Sequence, residues 1–228
     1  MMPKALVPVL LSLRVATAAT IITLVVGLYL ARSLTRHRTR FSTIWDTLIM
    51  LPMVFPPSMT GYLLLLLLGR RGPLGSLLSL FGLQVVFTWG AAVIAASVVS
   101  LPLMYQNCKA ALAGVDPMYL KAARTLGMDE GAIFRRVTLP LAAPGILSGL
   151  VLSFARALGE FGATLMVAGN LPGRTQTMPL ALFSAVEGGR TSEARLYLLV
   201  TIFLSFVVIF IVGHAQRQSR AYREDCQS

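Results

Sequence analysis

The chain has 228 residues, 56% of them apolar and 13% charged, with a formal net charge of +11. Soluble domains carry roughly 45–50% apolar and about 25% charged residues, so this chain has too little polar material to close a water-facing surface. The balance argues against a soluble enzyme, a disordered tail or a nucleic-acid-binding domain, and points to a bilayer as solvent, with the basic excess in loops, where it reports orientation.

Five stretches are long enough to cross about 30 Å of hydrocarbon as helices. The first, Val7 to Ala31, is interrupted only by Arg14. Lys4 and the small residues Val15 to Ala19 imitate a signal peptide, but the apolar run continues past them and fits an uncleaved span. The second, Ile44 to Leu68, contains Pro52, Pro56 and Pro57. Three missing donors within six positions require a kink or break, and Gly61 then leaves room for close packing. Broken backbone is tolerated inside a membrane where protein or a water-filled cavity surrounds it. Pro56, Pro57, Ser58, Thr60 and Gly61 are therefore candidate pathway lining, with kinked packing as the plainer alternative. The glycine-rich Gly69 to Gly75 lacks the Gly-Lys-Ser/Thr ending of a nucleotide-binding loop. Arg70 and Arg71 there read either as arginines snorkelling at a helix end or as contacts for an incoming anion or an acidic partner.

The third stretch is Val85 to Gln106, and the loop Asn107 to Pro140 follows it. Asp116-Pro117 is an N-cap with proline at the first helical position, and Gly127 can end that helix. Asp129 can cap a second short helix toward Arg135-Arg136, with Pro140 at the start of the next span. The fourth stretch, Leu141 to Ala168, holds Arg156 and Glu160 four residues apart on one helix face, about 24 and 30 Å from Pro140. Charge at that depth requires a partner or a cavity. This pair, with Phe161 and Gly162, is a candidate gate or pathway element, and a structural ion pair is the simpler reading. We read Arg156 and Glu160 as the main ionisable pair within a span. Met178 to Ala185 is apolar but too short to span, and Leu196 to Gly213 is the fifth stretch.

An odd number of spans separates the termini. Arg32, Arg36, Arg38, Arg40, Lys109, Lys121, Arg124, Arg135, Arg136, Arg217, Arg220 and Arg223 fall on one side. Lys4, Arg70, Arg71, Arg174, Arg190 and Arg195 fall on the other. The bias places the N-terminus outside and the C-terminus in the cytoplasm; a sixth span near residues 178–193 would invert one end. Cys108 and Cys226 have no ligand-like spacing to each other or to His37 and His214, so neither a metal site nor a disulfide is indicated. No long motif repeats. Five helices make a thin wall for a pathway, so self-association as a two-fold dimer is expected.

Lys121-Ala122-Ala123, three residues, Gly127, nine residues and Val137-Thr138-Leu139-Pro140 resemble the signature loop of permease subunits in ATP-binding-cassette importers. That signature reads Glu-Ala-Ala, three residues, Gly, nine residues, Ile-x-Leu-Pro; Lys121 and Val137 depart from it. Leu51-Pro52, Pro56-Pro57, Gly61-Tyr62, Gly69-Arg70-Arg71-Gly72 and Ala155 to Thr164 are similar to the molybdate-permease members of that family. The likeness runs from about Leu11 to Leu199. Sulfate and thiosulfate permeases share Glu160-Phe161-Gly162, and the Gly69 to Gly72 element favours molybdate over them.

The resemblance implies an all-α polytopic membrane protein with the type I ABC importer permease fold. Residues 1–228 would form one transmembrane domain with five spans, a sixth left open, and a coupling loop over 107–140. The chain would have no catalytic site. ATP and Mg would be bound by a partner ATPase docked on Lys121, Ala122, Ala123, Gly127, Val137, Leu139 and Pro140. Further implied partners are an extracytoplasmic oxyanion-binding protein, met through surfaces such as Gly169 to Pro179, a second permease copy and membrane lipid, in a bacterial inner membrane. Ser58 and Thr60 would offer hydroxyls to a passing oxyanion. Two competing classes are an ATP-independent secondary transporter or channel, which wants ionisable residues near the bilayer midplane, and a membrane enzyme, which wants clustered His, Asp, Ser or Cys.

Overall fold

The computed structural model describes the backbone of residues 6–36 and 40–225 and the side chains of residues 6–35 and 42–210. Lys4, Arg36, His37, Arg38, Arg40, His214, Arg217, Arg220, Arg223 and Cys226 therefore lie outside the described side chains. Every regular element among the described residues is helical. In order these are α1 (Leu6–Arg36), α2 (Arg40–Val54), α3 (Pro57–Leu68), α4 (Pro73–Ser79), α5 (Trp89–Ala113), α6 (Pro117–Thr125), α7 (Glu130–Ile133), α8 (Leu139–Leu158), α9 (Gly162–Ala168), α10 (Met178–Glu187) and α11 (Thr191–Asp225). A π-helical stretch, Phe134–Thr138, joins α7 to α8.

The centre is made by α1, α5 and α8, which pack mainly on one another. Small side chains let these helices approach. Ala91, Ala92, Ala95, Ala96 and Ser100 of α5 are fully buried, and a Cβ placed on Gly149 of α8 would lie 2.5 Å from Asn107 Cβ of α5. With no hydrophobic force to join helices in lipid, such close van der Waals packing is the main source of association. The Ser97 and Ser100 hydroxyls of α5 donate to the Val93 and Ala96 carbonyls in the preceding turn, whereas the buried Ser153 hydroxyl of α8 has no partner among the described residues.

Among the described residues four helices are long and apolar enough to span: α1, α5, the run from Glu130 through α8, and α11 to Phe210. The fifth expected span is a bent pair. α2 passes through Pro52, stops at Val54, and α3 restarts at Pro57 after a turn of 115°. Pro56 sits at ψ 136, the extended conformation imposed on a residue that precedes proline, and Pro57 then begins the new helix with its fixed φ.

Three boundaries differ from the sequence reading. α5 starts at Trp89 because Phe87 holds a positive φ of 62° and the Thr88 hydroxyl caps the Ala91 N–H. It continues to Ala113, since nothing between Gln106 and Gly114 breaks it, so residues 107–113 belong to the helix and not to the loop. The expected fourth span is not continuous: α8 ends at Leu158, and α9 begins at Gly162 after a three-residue break. α10 is a short apolar helix packed on α11 and α1, where the Ser12 hydroxyl accepts the Met178 N–H at 2.7 Å.

α3 lies along α9. A Cβ on Gly61 would lie 2.7 Å from Ala163 Cα and 2.9 Å from Met166 Cβ, both parts of a packed wall. Gly61→Ala should therefore cost about 1–3 kcal/mol through overpacking. The expected readout is a lower thermal midpoint in detergent, with Gly90→Ala, which meets nothing closer than 3.5 Å, as the neutral control. An unchanged midpoint for Gly61→Ala would show that α3 and α9 can separate freely.

Candidate functional site

Two groups of residues were expected to carry function, and they occupy opposite ends of the helix bundle. The first is the loop between α5 and α8. Asp116 accepts the Met118 N–H at 2.7 Å, and Pro117 opens α6. The helix ends as the sequence predicts: Gly127 has φ +75°, its N–H goes to Arg124 O at 2.9 Å, and the Met128 N–H goes to Ala123 O at 3.2 Å. This pairing satisfies the last carbonyls and needs a left-handed residue, which glycine supplies without strain. Asp129 then accepts from Gly131 N and Ala132 N at 2.8 and 3.0 Å and starts α7.

The second short helix is not a separate unit. α7 runs through the π stretch directly into α8, with Leu139 N bonded to Phe134 O. Pro140 lacks the donor that a regular turn would need and its ring would press on the Arg136 carbonyl; the wider turn before it relieves both.

Within this loop Ala123 is buried, while Lys121, Ala122, Gly127 and Pro140 are exposed and Val137 and Leu139 half-buried. The outward side of α6 carries an apolar stripe beside the exposed Lys121 and Arg124: Met118 is 66% exposed and Leu126, just past the helix, 81%, with Tyr119 next to them. Two contacts that the sequence reading missed stiffen the loop. Arg124 bridges Glu130 at 2.7 Å, which ties α6 to α7 and raises the arginine's pKa. The Arg32 guanidinium of α1 lies 3.8 Å over the Phe134 ring, a cation–π contact that fixes the loop's far foot to the bundle. The near foot is Val115, buried in one cluster with Met104, Tyr105, Cys108 and Ile146.

The second group gathers at the two helix breaks, which touch. Gly162, at the start of α9, sits against Pro57 and Ser58 at the start of α3; a Cβ there would lie 3.1 Å from Ser58 N. Pro56, Pro57 and Ser58 are exposed, whereas Thr60 is 4% exposed and its hydroxyl has no hydrogen-bond partner among the described residues. Arg156 pairs with Glu160 at 2.7 Å. Glu160 lies past the end of α8, inside the break. It is 3% exposed, and its second oxygen accepts the Ala163 N–H at 2.9 Å, which caps the new helix with a charge of the favourable sign. Phe161 packs on Phe183 of α10 with ring centroids 5.2 Å apart.

On the same side, Gly169 turns with φ +69°, Thr175 bonds both Gly169 O and Leu171 N, and Gln176 bonds Asn170 at 2.9 Å. The segment from Gly169 to Pro179 is thus a braced surface. Nearby, Arg70 lies in a cavity of about 470 Å³ beside the Gln84 amide.

The expectation that Arg156 and Glu160 are the main ionisable pair within a span needs a correction. Asp46, in the second apolar stretch, bridges Lys109 of α5 at 2.7 Å and accepts the Tyr105 hydroxyl. A lone carboxylate in an apolar run was the available signal.

A model of the family described as "Binding-protein-dependent transport system inner membrane component" matches residues 23–220. The molybdenum transport system permease protein ModB of Escherichia coli K12 is 43% identical over 215 residues, covering 93% of each chain. The sulfate transport system permease protein CysT of Salmonella typhimurium is 32% identical over 214 residues, 94% of this chain and 77% of that one. Among solved structures, a bacterial alginate ABC transporter in complex with an alginate pentasaccharide-bound periplasmic protein superposes with a TM-score of 0.74 at 17% identity, over 93% of this chain and 78% of that one.

The hydrogen bonds from Ala132 N and Gly131 N hold the Asp129 carboxyl below its ordinary value. A depressed folded-state value stabilises the α7 turn above about pH 3.9, the unfolded value, and that contribution is lost as pH falls through the lower folded one. Amide protection at Gly131 and Ala132, corrected for intrinsic exchange, should be flat at neutral pH and drop in that acid window. Asp129→Asn, which keeps the acceptor without the charge, should flatten the profile; a profile unchanged by that substitution would remove Asp129 as its source.

Proposed function

The chain belongs to the family of binding-protein-dependent transport system inner membrane components, and we propose that it is the permease subunit of an ATP-driven importer for molybdate. The observation that carries this reading is the α6 knob: the spacing from Lys121 to Pro140 is realised as a capped, braced helix that turns an apolar stripe outward. A membrane subunit that binds no nucleotide needs such a surface to receive work from one that does. ATP and Mg belong to that ATPase partner, and this chain breaks no bond.

The basic side chains favour placing the knob in the cytoplasm. Arg32, Lys109, Lys121, Arg124, Arg135 and Arg136 cluster at the loop end, against Arg70, Arg71, Arg174, Arg190 and Arg195 at the other. The surface from Gly169 to Pro179 then faces outward, where an extracytoplasmic binding protein delivers the oxyanion. Two copies of the chain enclose the pathway, with Pro56, Pro57 and Ser58 of one broken span and Arg156, Glu160, Phe161 and Gly162 of the other at its outer part; Thr60 and Gly61, expected beside them, are buried against α9 and support the lining from behind. Arg156 spends one N–H on Glu160 and keeps further donors for an oxyanion.

Substrate class follows the relatives: the molybdenum permease is the nearer relative, at 43% against 32% for the sulfate permease. Labelled molybdate uptake by the full complex in proteoliposomes should be competed by tungstate, which has nearly the same shape and charge, and not by sulfate. Effective sulfate competition would move the chain to the sulfate class. Co-purification of the ATPase should be lost on Gly127→Pro or on deletion of residues 116–136, and a deletion that still binds the ATPase sinks the docking assignment.

Glu160→Gln keeps an acceptor for Ala163 and removes the charge that holds Arg156. We expect transport to fall about tenfold with ATPase binding intact. Transport and ATP coupling equal to the parent's would take this pair out of the pathway.

A further inference from the structure

Asp46 is the one carboxylate between Arg40 and Leu68, and it sits where no soluble-phase logic explains it. A carboxylate in an apolar span is costly unless a cation compensates it. Here two donors from one turn of α5, Tyr105 and Lys109, take its two oxygens separately: the Tyr105 hydroxyl donates to Oδ1, and Lys109 Nζ lies 2.7 Å from Oδ2. The Lys109 ammonium also stands 5.6 Å from the centre of the Tyr105 ring. An apolar seam lets a helix slide or rotate at small cost, whereas a carboxylate gripped at both oxygens fixes both its height and its rotation.

The position of this clamp gives it a role. α2 packs on α5 and on little else among the described residues; Ile49 and Met50 rest half-buried on the cluster that contains Met104, Tyr105 and Cys108. On its open flank lies a cavity of about 530 Å³ lined by Asp46, Met50, Tyr105, Gln106, Lys109 and Ala113. At its far end α2 meets the 115° bend, and beyond the bend α3 is locked to α9 through Gly61. At the near end, Lys109 is one turn from the end of α5 at Ala113, and Val115, the foot of the knob, is buried in the same cluster as Tyr105.

We propose that Asp46, held by Lys109 and Tyr105, is the positioning residue that ties the α2 arm to the foot of the ATPase-docking loop, so that displacement of the loop turns α2 about the Pro56 bend. The proposal rests on the transport reading above and adds the route by which the loop reaches the broken span. Asp46 touches no ATPase and no oxyanion; it acts by keeping α2 in step with α5. Without it, the ATPase still docks and hydrolyses ATP, and the pathway no longer follows.

The test uses the full complex in proteoliposomes and reads molybdate accumulated per ATP hydrolysed, a ratio that a loss of assembled protein does not move. Asp46→Asn and Lys109→Met should each lower the ratio about tenfold with ATPase co-purification and hydrolysis retained. Tyr105→Phe, which removes one donor, should give a smaller loss. The exchanged double variant, Asp46→Lys with Lys109→Asp, should recover most of the ratio. Parent-like ratios in the single variants overturn the proposal, as does an exchange that recovers nothing. Single variants that no longer co-purify with the ATPase assign Asp46 to folding and overturn it too. A parent complex that accumulates no molybdate refutes the substrate reading instead; the same ratio is then read with sulfate, so the two failures stay distinct.

Discussion

Backbone amides in a bilayer must find their partners within the protein, and this chain interrupts two of its spans. The rest of the arrangement follows from how those interruptions are satisfied. The first, at Phe55 to Pro57, uses residues that lack the donor, so fewer N–H groups are orphaned. The second, at Gly159 to Phe161, has no proline and relies on Glu160, whose carboxylate takes the Ala163 N–H and whose charge is met by Arg156. The breaks then lie against each other, Gly162 on Pro57 and Ser58.

The opposite end is rigid for other reasons. The loop between α5 and α8 has little hydrophobic burial of its own, with only Val115, Ala123 and Ile133 fully buried. Its shape comes from local chemistry: two aspartate caps, a glycine-terminated helix and the Arg124–Glu130 bridge. An exposed bridge is worth little on its own, but it joins two elements already fixed by their caps. The feet at Val115 and Phe134 then pass any push on α6 into α5, α8 and α1, the three helices that form the centre. A docking surface carried on a loop without these feet would absorb the push as local motion.

Much of this was legible in the sequence because it depends on residues close together in the chain. Asp116-Pro117, Gly127 and Asp129 announce caps whose partners lie within a few positions, and all three act as read. Pro56-Pro57 announces a break. The second break leaves no such signal, because Gly159-Glu160-Phe161-Gly162 contains no proline; there the Glu160 carboxylate accepts the Ala163 N–H and holds Arg156. The Asp46 clamp escaped because its partner is 63 positions away. Arg32 was read as an orientation charge, and its contact with Phe134 spans a hundred residues. Long-range polar contacts leave no periodicity to read.

The placement of the acids completes the picture. The two carboxylates inside the apolar stretches, Asp46 and Glu160, are each bound to a cation, and Glu130 and Glu193 are bridged by Arg124 and Arg190. Asp116 and Asp129 are occupied as caps. The carboxylates inside the spans are thus engaged in local structure, and the cations that hold them, Lys109 and Arg156, stay partly exposed with donors left over. An anion moving between the ends of this bundle meets cations whose carboxylate partners are already engaged, and no free carboxylate inside a span to repel it. A cation-coupled carrier requires the reverse, a carboxylate free to bind and release its ion near the midplane.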